Sequence, residues 1–138
     1  MDKIEDILDK EGFYVSTSSG YSMLPFLRDR TDTIIIRKKD KYKKYDVVLY
    51  KRNNQYILHR IVKCNDNHYI IRGDNCYYNE DDISYNDVIG CLDECYRGEK
   101  YINLNSFFYK LYCIIWVKSY PIRYMYKALK NKIRSIMK

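Results

Sequence analysis

The chain has little histidine, two residues in 138, and residues 118–138 hold no Asp or Glu. It also lacks a long uninterrupted apolar run. The most apolar stretch, 107–117, is broken by Lys110 and is too short to cross a bilayer as a helix. The first residues, Met1 to Gly12, have no basic start and no apolar run, which argues against a secretory signal. Five cysteines, an odd number, are scattered as Cys64, Cys76, Cys91, Cys95 and Cys113, which does not read as a disulfide framework. Only one close pair exists, Cys91 and Cys95, so no zinc site is expected, and no cofactor is implied. Free thiols favour a reducing compartment.

What is present is a chain of single-domain length with 46% hydrophobic residues and 17 tyrosines. Tyrosine suits half-buried strands and wet interfaces. The net charge of +7 is concentrated at one end. Lys118, Arg123, Lys127, Lys130, Lys132, Arg134 and Lys138 leave 18 basic and 18 acidic residues in the remainder. A neutral body with a basic tail attracts phosphate, on lipid head groups or on nucleic acid.

Ile4, Ile7 and Leu8 share one face of a short amphipathic helix that Gly12 would stop. Short β-rich runs follow at 13–17, 33–37, 46–50, 56–64, 69–71, 87–92 and 100–102. Asn53-Asn54 marks a hairpin. Glu80, Asp81 and Asp82 read as a solvated acidic loop. This pattern predicts a mainly β domain over residues 1–104, a small closed or partly open β-barrel. At Asn105 the pattern changes. Ser106 is a helix cap, and from Pro121 the residues Ile122, Met125, Leu129, Ile133, Ile136 and Met137 recur at helical spacing between cations. Residues 105–138 therefore read as a basic amphipathic helical extension. Such a helix either lies on an anionic membrane surface, here through residues 107–138, or docks on its own domain.

Three segments carry chemistry. Ser22 lies in Ser19-Gly20-Tyr21-Ser22-Met23-Leu24-Pro25, with Gly20 permitting close backbone approach, Pro25 stiffening the turn and Met23 as an apolar anchor beneath it. His59 lies in Leu58-His59-Arg60-Ile61-Val62, where alternation puts Ile57, His59 and Ile61 on one face and Leu58, Arg60 and Val62 on the other. Asp74 follows Gly73 at a strand end. A serine hydroxyl attacks a carbonyl only when a neighbour takes its proton. An imidazole does this near neutral pH, and a carboxylate can hold that imidazole in place. Glu80, Asp81 or Asp82 could serve in place of Asp74 or support it.

Together these segments resemble the type I signal peptidases and the related LexA-like autopeptidases. Ser22-Met23-Leu24-Pro25 is similar to the nucleophile box, Asp46-Val47-Val48-Leu49-Tyr50 to the next strand, Leu58-His59-Arg60-Ile61-Val62 to the general-base box, and Gly73-Asp74-Asn75 to the box that follows. Most bacterial members carry lysine as base; this chain has the histidine of the endoplasmic-reticulum and archaeal type. The resemblance runs from about Gly12 to Tyr96 and is closest to small single-domain bacterial peptidases that lack the N-terminal anchor. Gly20 stands where many signal peptidases have a hydroxyl residue that helps bind the oxyanion, and the acidic cluster from Glu80 to Asp82 does not align with the second family aspartate.

The resemblance implies a mainly β catalytic core and a serine endopeptidase acting on a peptide or preprotein. In it Ser22 is nucleophile, His59 general base and Asp74 the group that orients His59. The protein would be cytoplasmic or peripherally membrane-associated. Two other readings stay open: a peptide-binding module with weak or no turnover, and a membrane- or nucleic-acid-binding protein acting through the tail. Nucleic acid is disfavoured because the body is neutral and the tail offers only Tyr120, Tyr124 and Tyr126 for stacking.

Overall fold

The computed structural model describes residues 3–137; Lys138, counted above among the tail cations, lies outside the described residues. Helix α1 (Ile4–Glu11) buries Leu8 and is followed by eight strands. These are β1 (Tyr14–Thr17), β2 (Asp32–Arg37), β3 (Val47–Arg52), β4 (Gln55–Cys64), β5 (His68–Arg72), β6 (Glu80–Ser84), β7 (Val88–Arg97) and β8 (Lys100–Ile102). Helices α2 (Phe107–Lys118) and α3 (Tyr120–Met137) complete the chain.

The strands form one antiparallel sheet in the order β1-β2-β7-β3-β4-β5-β6, with β8 paired to β7. The fold is thus mainly β, as the pattern predicts, and the barrel is open: β1 and β6 are the two ends of the path. The β3–β4 hairpin turns at Asn53 and Asn54, both with positive φ, which asparagine tolerates better than most residues. Strand β6 departs from expectation. The stretch read as a solvated acidic loop pairs with β5, because Ile83 opposite Tyr69 is buried while Asp81 and Asp82 stay in solvent.

The sheet buries both of its faces. Alternate residues of β3 enter two different cores, Val47 and Leu49 one, Val48 and Tyr50 the other. The first core holds Leu8 of α1, Ile34, Ile36 and Leu92, together with Met23, Phe26 and Leu27 from the β1–β2 loop. Each such side chain removed from water contributes roughly 1.5–3 kcal/mol. The loop bearing Ser22 is therefore pinned from beneath, with Met23 as the anchor its position suggested. The second core holds Ile61, Tyr69, Ile71, Ile83 and Cys91.

Helix α2 starts at Ser106, whose hydroxyl accepts from the Tyr109 N–H. It docks on the body through Tyr109, Tyr112, Cys113 and Trp116.

Candidate active site

Ser22 sits in the loop between β1 and β2, which is braced by a charged frame. Arg97 of β7 donates to both carboxylate oxygens of buried Asp32, at 2.9 and 3.0 Å, and to the Phe26 carbonyl at 2.8 Å. Asp32 also accepts from the Arg28 N–H at 2.9 Å. Burial raises the Asp32 pKa, but these donors outweigh it and hold the carboxyl below its usual value. Higher in the loop, Gly20 has φ +86°, a conformation that strains other residues, and its N–H donates to Asp29 Oδ1 at 2.7 Å. From the far side, Asn75 clasps the loop: its N–H donates to the Ser22 carbonyl at 2.8 Å and its side-chain amide to the Tyr21 carbonyl at 3.1 Å.

His59 arrives from β4, opposite Val48 of β3, and points into the second core, where it is 6% exposed. Its Nδ1 lies 3.2 Å from the hydroxyl of Tyr50, a fully buried residue of β3. Its Nε2 is aimed at Gly73. A Cβ on Gly73 would stand 3.0 Å from His59 Nε2 and 2.7 Å from both the Ser22 carbonyl oxygen and Cys76 Sγ. Only a residue without a side chain fits there. Gly73 thereby lets the Ser22 loop and the His59 ring border one spot. In this conformation no hydrogen bond joins the Ser22 hydroxyl to His59 among the described residues.

Desolvation is the largest influence on His59 and lowers its pKa, so the ring is neutral at pH 7. The strongest opposing influence is the negative charge of Glu80, ahead of that of Asp74. Glu80 sits on β6 in an ion pair with Arg52, with its side chain only 10% exposed. The same carboxylate, after burial, is the chief cause of the raised Tyr50 pKa.

Asp74 is placed differently from the expectation that it orients His59. Its two oxygens take Arg60 Nε and Nη2 at 2.8 and 2.9 Å, and one accepts the Tyr112 hydroxyl at 2.7 Å. Arg60 follows His59 in β4, so its side chain leaves the opposite face of the sheet, and Asp74 follows it there. Arg60 is fully buried; it also donates to the Tyr45 carbonyl and to Tyr109, and faces the Phe26 ring. Sequence reasoning read Asp74 as a base-orienting acid because it could not see that Arg60, a charged residue on an aliphatic strand, required a buried counter-ion. It missed Tyr50 altogether; the signal was the hairpin register, which brings Tyr50 near His59.

Beside Ser22 runs a cleft of about 400 Å³. Ser16 to Gly20, Ser22, Met23, Leu27 and Ile34 line one part of it, and Leu49, Ile57 and Leu58 another. Among the described residues β1 pairs with β2 on one side and has no strand partner on its other edge. An extended peptide could therefore add to it as a further strand.

A family model described as Peptidase S24-like matches residues 2–92. The chain belongs to that family. The match places it in the LexA and signal-peptidase-like superfamily, in agreement with the resemblance read from the three segments. As an S24-like chain it has a peptidase-like fold, and Ser22, His59, Asp74 and Glu80 all fall inside the matched stretch. The match stops within β7, so β8, α2 and α3 lie outside it. No curated protein matches this chain.

Proposed function

We propose that the protein is a serine endopeptidase in which Ser22 is the nucleophile and His59 the general base. The observation that carries the reading is the position of His59. A buried, neutral imidazole turns Nε2 toward the Ser22 loop across Gly73, while Tyr50 occupies Nδ1. Neutral imidazole with its proton on Nδ1 has a lone pair on Nε2 that can accept the serine proton. Catalytic hydrogen bonds often close only once substrate is bound, and in this reading Ser22 Oγ comes within reach of Nε2 at that stage.

In the proposed cycle the substrate strand lies along β1, and Ser22 Oγ bonds to the scissile carbonyl carbon as its proton passes to Nε2. The C–N bond then breaks, and the imidazolium returns that proton to the leaving amine. Water, deprotonated by the same ring, hydrolyses the acyl-enzyme. The Ser22 N–H, which has no acceptor among the described residues, is free to donate to the oxyanion. Glu80 stabilises the imidazolium by its charge, which fits the alternative that an acid of the 80–82 cluster supports the histidine. Asp74 is a positioning residue: by holding Arg60 and accepting Tyr112 it fixes Gly73 beside the ring.

The test is cleavage of a mixed peptide pool, with new termini mapped by mass spectrometry. Wild type should produce cuts that vanish in Ser22→Ala, and His59→Ala should slow them by about two to four orders of magnitude. Cuts that persist in Ser22→Ala would overturn the assignment. A pool bound but left intact would favour the peptide-binding module. One observation points that way: the Gly20 N–H is already committed to Asp29 and gives the oxyanion nothing.

A further inference from the structure

Helix α3 touches the body along one side only. The Tyr120 hydroxyl donates to the Tyr77 carbonyl at 2.8 Å, the Arg72 guanidinium lies 3.5 Å from the centre of the Tyr120 ring, and Lys127 lies over Tyr77 at 4.2 Å. With about 3.6 residues per turn, Tyr120, Tyr124 and Lys127 share that side. Ile122, Met125, Leu129, Ile133 and Ile136 share the opposite one, and they are 47–73% exposed. Of the two readings for this segment, docking its apolar face on its own domain is therefore not what the fold does.

The strip continues into α2. The Ser119 N–H donates to the Ile115 carbonyl at 2.9 Å and the Arg123 N–H to the Ser119 carbonyl at 3.0 Å, so the helical phase carries across the junction. Phe108, Leu111 and Ile115 of α2 are then in register with the α3 strip and are also exposed. No helix among the described residues is long and apolar enough to cross a membrane.

Residues 107–137 carry seven cations and no acid. None of the ion pairs among the described residues uses any of them. Arg123 is held by the Trp116 ring and carbonyl and Lys127 by the Tyr77 ring, which leaves Lys110, Lys118, Lys130, Lys132 and Arg134 without a protein partner among the described residues. Lys39, Lys43 and Lys44 border the same cleft as Lys110 and Ile114 of α2, with Asp46 and Asp93 among them, so the body adds little net charge there.

We propose that α2 and α3 together bind the surface of an anionic phospholipid bilayer, with the apolar strip in the head-group layer and the flanking cations on lipid phosphates. Charge selects this occupant. A second copy seated on the strip would bring like charges together with no acid on either helix. A nucleic acid would satisfy the cations and leave the apolar strip in water. The inference does not depend on the peptidase reading.

Sedimentation of the full chain with vesicles tests it, comparing phosphatidylcholine alone with equal parts phosphatidylcholine and phosphatidylglycerol. Binding should require the anionic lipid and weaken as salt rises. Lys130→Gln with Lys132→Gln should weaken it roughly thirtyfold. Leu129→Asp with Ile133→Asp should abolish it, and Ser22→Ala should leave it unchanged. Both double variants alter exposed positions, and circular dichroism checks that they fold. No preference for anionic vesicles at low salt overturns the proposal. So does unchanged affinity in the lysine variant. Absence of vesicle binding together with either self-association lost in the Leu129, Ile133 variant or salt-sensitive binding of duplex DNA overturns it in favour of that partner.

Discussion

Arg60 and Asp74 form a bidentate ion pair on the face of β4 opposite His59, closed at 2.8 and 2.9 Å. Their chain neighbours, His59 and Gly73, meet on the other face. One pair of adjacent residues from β4 and one from the turn after β5 thus build both the candidate site and its support. Tyr112 and Trp116 of α2 close over the pair, donating to the Asp74 carboxylate and carbonyl at 2.7 Å each. Removing one partner of a buried pair strands the other charge. Asp74→Ala is therefore expected to destabilise the fold by about 3–5 kcal/mol in urea unfolding. A loss under about 1 kcal/mol would show that the pair does not hold the two segments together.

Gly73→Ala probes the common border directly. Its methyl group would meet the Ser22 carbonyl at 2.7 Å and His59 Nε2 at 3.0 Å. Backbone cannot yield as a flexible side chain does, so the Ser22 loop must shift. The expected result is loss of peptide cleavage with a folded protein, at a stability cost of about 1–3 kcal/mol. Activity equal to wild type would mean the two groups do not work across this spot.

The pH dependence follows from burial of His59. Its pKa lies below the ordinary value of 6.5, so the neutral form that the proposed mechanism requires dominates from that value upward. Cleavage should rise with pH along an acid limb centred below 6.5 and then level off. Tyr50→Phe removes the partner of Nδ1 and with it a group that supports the imidazolium. The limb should move to still lower pH, and kcat/KM should fall roughly tenfold, the worth of about one hydrogen bond. An acid limb that stays in place would remove Tyr50 from the reading.

Asp32 supplies a stability test in acid. Its folded-state pKa lies below the usual 3.8 because Arg97 and the Arg28 N–H favour the carboxylate despite burial. The ion pair therefore stabilises the fold above that pH, and the contribution is lost as pH falls through the lower folded value. Asp32→Asn should unfold more easily at neutral pH than wild type and show a shallower loss of stability below about pH 4. Parallel acid-unfolding curves for the two proteins would contradict this.

Much of the strand layout was legible because it depends on local pattern. The β-branched run that became β2, the Asn53-Asn54 turn, the Ser106 cap and the helical spacing beyond Pro121 each act within a few residues. β6 was not legible, since Glu80 to Ser84 has a single apolar residue that matters, Ile83, and only pairing with β5 reveals its use. The amphipathic character of α3 could be read in advance, but which of its sides would face water could not. That depended on Tyr120 and Lys127 finding Arg72 and Tyr77, residues far upstream.

The candidate site divides along the same line. Residue order alone determined that a serine in a Gly-containing turn, a histidine on an apolar strand and an acid after a glycine stand in the arrangement of this peptidase superfamily. It also determined that His59 and Arg60 leave opposite faces, because successive side chains of a strand must. Only the tertiary structure decided where Asp74 finds its partner. Arg60, forced into a dry interior, could not stay unpaired and took Asp74, which left His59 to Tyr50 and to the charge of Glu80. A buried charge must find its counter-ion through space, and distance along the chain does not say where that partner lies.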